Sequence, residues 1–105
     1  MAWRSGYAGE YKAKKELIEE YGEHGVIKIA IAQFGADFLA IKDGILDKAV
    51  EVKFTTQAKY YSSPKEKKQF ARIKEFAEHH NCKSELWIYV SRGSGFPLEK
   101  EIRNI

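Results

Sequence analysis

Cysteine is almost missing from this sequence. The single Cys82 excludes an internal disulfide and fits a reducing cytoplasm. Long apolar runs are missing too. The longest, "GVIKIAIAQFGADFLAI", is interrupted by Lys28, Gln33 and Asp37 and falls short of the ~18 unbroken residues that span a bilayer, so no membrane partner is expected. The opening "MAWRSGYAGEYK" carries charge early and lacks an apolar core, so no targeting segment is expected. There is no internal repeat, no linker and no low-complexity run that would argue for disorder.

What remains is a chain of 105 residues, 44% hydrophobic, read as one domain over residues 1–105 with enough length to bury a core. The net charge of +3 is modest, but its distribution is uneven. Lysines gather at Lys12, Lys14 and Lys15, and again at Lys65, Lys67 and Lys68, followed by Arg72 and Lys74. Tyr60 and Tyr61 precede the second group. Basic clusters beside aromatics suit a polyanion such as nucleic acid; the alternative is a solvated helix face, partly balanced by Glu66, Glu75 and Glu78.

Residues 5–21 contain "GEYKAKKELIEEYG", strong helix formers with Gly22 placed as the stop. Ala13, Leu17 and Tyr21 fall on one helical face, and extending that row back one turn reaches Glu10. Residues 25–32, "GVIKIAIA", predict a first strand, "ADFLAIK" a second and "ILDKAVEVKFT" a third. Asp43-Gly44 between the last two is a hairpin turn, because both residues tolerate positive φ. "SSPKEKKQFARIKEFAEHH" predicts a second helix with Ser63 as N-cap, Pro64 at the first position and Glu66 closing a capping box. Phe70, Ile73 and Ala77 make its apolar stripe, with Phe76 alongside. Residues 85–91, "ELWIYVS", predict a fourth strand, and the tail "RGSGFPLEKEIRNI" is left without an assignment. The order α-β-β-β-α-β combines antiparallel hairpins with one parallel crossover. It predicts an α/β fold, a mixed sheet flanked by helices.

The third strand carries an anomaly. Val50, Val52 and Phe54 alternate with Ala49, Glu51 and Lys53, which puts a carboxylate and an ammonium on one face of a sheet strand. Asp37 opens the second strand and Glu10 leans inward from the first helix. Three carboxylates and a lysine could converge there; the carboxylates repel each other unless a cation joins them, and hard oxygen donors suit Mg²⁺ or Mn²⁺. Such an ion activates water and neutralises a phosphoryl oxygen.

Asp37, thirteen residues, then Glu51-Val52-Lys53 resembles the PD-(D/E)XK nuclease signature, with Ala36 where the proline usually stands. The longer run "GEYKAKKELIEEYG…GADFLAI…AVEVKFTT…KKQFARIKEF", roughly residues 5–90, resembles the archaeal Holliday junction resolvases. Those are small, basic, homodimeric endonucleases that cut four-way DNA junctions. The resemblance implies a restriction-endonuclease-like core and an active site of Glu10, Asp37, Glu51 and Lys53. It places Glu10, Asp37 and Glu51 around Mg²⁺ (Mn²⁺ as substitute) and Lys53 beside the attacked phosphate. It also implies a homodimer acting on DNA, expected to be cytoplasmic and nucleoid-associated. The charge clusters and their aromatics name Lys12, Lys15, Lys65, Lys68, Arg72, Tyr60 and Tyr61 as the DNA-facing residues, and Lys28 is the nearest basic candidate at the end of the first strand. The chain departs from the family pattern at Tyr11, where an arginine is usual, and in the loop "AQFG", which has no serine. Relatives also tend to have a longer C-terminal portion that helps form the dimer.

Plainer readings stand beside these. Glu51 and Lys53 could decorate a surface strand, and Glu10 could pair with Lys14 one turn on. Tyr60 and Tyr61 could stack on bases or fill the sheet edge. His79, His80 and Cys82 crowd one helix end without a second ligand pair, which argues against zinc. Parity discriminates between the first two readings of the strand. A regular two-residue hairpin at Asp43-Gly44 would set Asp37 opposite Val50 and aim it away from Glu51. A metal site therefore requires a bulge, a three-residue loop or a bend between Asp37 and Glu51.

Overall fold

The structure is a computed structural model, and the residues it describes are 5–29 and 36–105. Helix α1 (Ser5–Tyr21) leads through a 3₁₀ turn (Glu23–Gly25) into strands β1 (Val26–Lys28), β2 (Phe38–Lys42) and β3 (Ile45–Thr55). Helix α2 (Pro64–His79) and strands β4 (Lys83–Val90) and β5 (Glu99–Asn104) complete the chain. The sheet runs β1-β2-β3-β4-β5, with β3 and β4 parallel across the α2 crossover and the other pairs antiparallel. The fold is thus α/β, a mixed five-stranded sheet flanked by helices.

Local chemistry sets most of these boundaries. Gly22, at φ 81, takes the left-handed conformation that stops α1, and its N–H closes on the Ile18 carbonyl at 2.8 Å. The Ser63 hydroxyl accepts the Glu66 N–H while the Glu66 carboxylate accepts the Ser63 N–H, so the capping box is complete and Pro64 follows it. Cores form on both faces of the sheet. Ala13 and Leu17 of α1 pack on Phe38, Ala40, Val50, Val52, Trp87 and Tyr89. On the other face, Ile73 of α2 packs with Ala36 and Ala49, while Phe70 also reaches Leu86, Ile88 and Val90. Sandwiched between two helices, β4 buries both of its alternating sets.

The bounds of two expected strands need correction, and the unassigned tail proves to contain a strand. The first strand is Val26–Lys28, with Gly25 in the preceding 3₁₀ turn, and Ile29 carries the same pairing one step further by donating to the Asp37 carbonyl at 2.8 Å. The remainder of that expected strand, with the "AQFG" loop, lies outside the described residues. The fourth strand begins two residues earlier than expected, at Lys83. The unassigned tail contributes β5, a largely exposed edge strand of sequence EKEIRN. Its alternating charges leave little hydrophobic signal, and they also discourage another chain from adding to the edge.

The register between β2 and β3 is the feature that positions everything else. Asp43 and Gly44 have φ of 53 and 76, as a two-residue primed turn requires, and Lys42 pairs with Ile45. Ile41 pairs with Leu46, but Ala40 pairs with Lys48, leaving Asp47 as the extra residue of a β-bulge. Beyond it Leu39 pairs with Ala49 and Phe38 with Val50, where the ladder stops with Asp37 just outside it. The one-residue shift that parity demands is present, and a regular turn coexists with it.

Candidate active site

Asp37 sits just before the β2 ladder, where its own N–H donates to the Val50 carbonyl at 2.9 Å. The next β3 donor, the Val52 N–H, has no backbone acceptor left on β2. The Asp37 Oδ2 takes it at 2.8 Å, and Glu51 Oε1 lies 3.3 Å from the same nitrogen. Two carboxylates sharing one N–H must lie side by side. Glu51 is only 2% exposed, buried on the α2 face. Burial, a hydrogen bond with Asp37 and the Asp37 charge push its carboxyl up to about 9, more than Lys53 and the Val52 N–H can offset. A carboxylate pair in this state is short of positive charge.

Lys53 lies on the same face, with Nζ 3.5 Å from Glu51 Oε2 and 3.4 Å from Glu66 Oε2. Glu66 holds that position because its other oxygen is committed to the capping box and the Tyr60 hydroxyl donates to it. Burial disfavours the Glu66 carboxylate, but the donors Tyr60 and Ser63, with Lys53 nearby, outweigh burial and lower it to about 2. One turn further on, Gln69 donates to Glu51 and accepts from Lys53 at 3.5 Å.

Glu10 stands apart from the carboxylate pair. It binds Lys28 at 2.9 Å, and Lys28 in turn lies 4.0 Å from Asp37, so an ammonium separates the α1 carboxylate from the sheet carboxylates. Among the described residues no three His, Cys, Asp or Glu side chains gather closely enough to hold a metal. Asp37 and Glu51 are brought together; Glu10 is linked to them through Lys28. Its pairing partner is Lys28 and not Lys14.

The basic residues divide between the two faces. Lys14, Lys15 and Lys28 line a groove of about 620 Å³ with Glu10 and Phe38. Lys12 is half-buried on the same helix, while Lys65, Lys68 and Arg72 are exposed on α2. Tyr61 is 73% exposed. Tyr60 instead packs against Leu86, Ile88 and Val90, with the Arg103 guanidinium over its ring, so in this structure it fills the sheet edge.

Sequence reasoning missed Gln69 and the second task of Glu66. The signal was present. The apolar row of α2, extended one turn toward the N-terminus, reaches Gln69 and then Glu66, as the α1 row reaches Glu10.

The architecture is that of an α/β fold carrying an acidic pair and a lysine where β2 leaves the ladder beside β3. The fold is similar to a solved one: the 1.6 Å structure of Archaeoglobus fulgidus Hjc, a Holliday junction resolvase from an archaeal hyperthermophile, with a TM-score of 0.60. The match covers 96% of this chain and 73% of that one at 20% identity. No protein-family model matches the sequence, and no curated protein sequence does either. At this identity the likeness establishes a shared fold.

Proposed function

We propose that the protein is a metal-dependent endodeoxyribonuclease that cuts four-way DNA junctions by paired phosphodiester hydrolysis, acting as a single nuclease domain within a cytoplasmic homodimer. One observation carries the reading. A β-bulge at Asp47 turns Asp37 onto the face of Glu51 and Lys53, where both carboxylates meet on the Val52 N–H. A plain surface strand has no use for a bulge that crowds two carboxylates. The fold similarity to Hjc supports the same reading.

The donor set fits a divalent cation. Asp37 and Glu51 present adjacent hard oxygens in need of positive charge, and Mg²⁺ is commonly held by one or two carboxylates together with substrate phosphates. Asp37 and Glu51 would hold Mg²⁺, or Mn²⁺ in its place, and Glu10 would join them by exchanging its Lys28 partner for the ion. When bound, the ion supplies an activated water and charge neutralisation at the phosphoryl oxygen. The chain's own groups do the rest. Val52 anchors both carboxylates through one N–H. Lys53, held on the same face, meets a phosphate oxygen or orients the attacking water. Lys12, Lys15 and Lys28 on one side and Lys65, Lys68, Arg72 and Tyr61 on the other grip the DNA backbone. Two opposed nicks require two sites, hence the homodimer.

The test is incubation of the protein with a labelled four-way junction and a matched linear duplex, with Mg²⁺ and with EDTA. Paired symmetric nicks on the junction, abolished by EDTA, are the expected result. Nicks on the duplex or on flaps would instead assign another DNA structure as substrate. Binding without any metal-dependent cut would make the protein a non-catalytic DNA-binding module.

A further inference from the structure

We infer that Gln69 is a positioning residue of this site, its carboxamide bridging Glu51 and Lys53 so that the orientation of both is fixed. The inference rests on the nuclease reading and adds to it a residue from α2. Glu51 has two oxygens to place. Oε1 faces the Val52 N–H at 3.3 Å, and Oε2 receives the Gln69 amide. The Lys53 ammonium lies 3.5 Å from that same Oε2 and 3.5 Å from the Gln69 carbonyl oxygen.

A glutamate and a lysine two positions apart on one strand face attract each other, and the pair alone leaves the orientation of both groups loosely defined. A carboxamide donates at one end and accepts at the other in a fixed plane. Placed over the pair, it satisfies the carboxylate from one side and gives the ammonium a second acceptor. Glu66, 3.4 Å from Lys53, supplies a further acceptor and is itself fixed by Ser63 and Tyr60. Lys53 is thus held among three acceptors, Glu51, Gln69 and Glu66, at nearly equal distances. Charge explains the residue type. A glutamate at position 69 would add a third carboxylate beside Asp37 and Glu51, and a lysine would neutralise Glu51. Glutamine orients both groups and changes the charge of neither. The rigid start of α2, set by the capping box, holds the amide in place, as a preorganised site requires.

The experiment compares the parent with Gln69→Met, which keeps length and loses both hydrogen bonds, and with Gln69→Ala. Each is assayed well below its own melting temperature. The readouts are junction affinity in EDTA, single-turnover cleavage at saturating Mg²⁺, and NMR order of the Lys53 ammonium, with Lys48 as a remote control. The expected result is junction affinity within about 2-fold of the parent, cleavage slowed about 10- to 100-fold, and a Lys53 ammonium that becomes more mobile while Lys48 does not change. Cleavage at the parent rate, or a Lys53 as ordered as before, overturns the inference and leaves the nuclease reading intact. Cleavage and affinity lost in proportion also overturn it, since that marks a purely structural role. A parent that cuts neither junction nor duplex removes the nuclease reading and this inference with it.

Discussion

The Tyr21 hydroxyl, at the end of α1, donates to the carboxylate of Asp47, the bulged residue of β3. By simple alternation Asp47 would face α2 with Ala49 and Glu51; the bulge turns it toward α1, where Tyr21 meets it. Burial, with Asp47 adding to it, raises the tyrosine's pKa. This contact lies where the register slips, and the slip brings Asp37 to the side of Glu51. Tyr21→Phe should lower unfolding free energy by about 1–2 kcal/mol, as expected for a hydrogen bond to a charged group. Deleting Asp47 should do more: a regular hairpin returns Asp37 to the face of Val50. Urea unfolding checks the first. Loss of Mn²⁺ binding by calorimetry in a still-folded deletion variant checks the second.

Glu51→Gln should leave the junction bound and uncut. The variant keeps nearly the same shape while removing a charge from the proposed metal site, so single-turnover cleavage should fall by about 10²-fold or more. A variant that nicks at the parent rate would show that Glu51 is no ligand.

The pH dependence of stability has a definite sign. Glu51 has its carboxyl raised from 4.5 to about 9 by burial and Asp37, so the folded protein holds a proton that the unfolded chain has released. That contribution is fully present below pH 4.5 and is lost as pH climbs toward 9. Melting temperature in EDTA should therefore decline across that interval. Mg²⁺ competes with the proton, so the rise in melting temperature on adding Mg²⁺ should be larger at pH 8.5 than at pH 6. Thermal scans at the two pH values, with and without the ion, measure both. Glu51→Gln should flatten both trends.

Salt should weaken DNA binding steeply. If Lys12, Lys15, Lys65, Lys68 and Arg72 all meet phosphates, the slope of log affinity against log salt should be roughly −4 to −5. Fluorescence anisotropy between low and moderate salt gives the slope, and each Lys→Ala substitution should reduce it by about one. An affinity indifferent to salt would remove the polyanion reading.

Ser63→Ala should cost about 1 kcal/mol through loss of the α2 cap. It should also slow cleavage beyond what stability explains, because Glu66, which shares that cap, holds Lys53. Urea unfolding and single-turnover kinetics on the same preparation separate the two effects.

Much of this molecule was legible before its fold was known, because short-range chemistry decides it. Gly22 ends α1, Ser63 and Glu66 start α2, and Asp43-Gly44 turns the hairpin, each through contacts within a few residues. Alternation in β3 separated the Val50 face from the Glu51 face, and parity alone required a register shift before Asp37 could join Glu51. Where the shift falls was a different matter. The bulged Asp47 meets Tyr21, 26 residues away in sequence, and Gln69 reaches Glu51 across 18. The burial of Lys48 against Glu85 spans 37. Nor did the sequence announce that Glu10 is separated from Asp37 by Lys28, or that the charged segment EKEIRN is the fifth strand. Local propensity acts over a helical turn or a hairpin; the partners of a buried charge and the pairing of an edge strand depend on packing between distant segments, and only the folded chain supplies it.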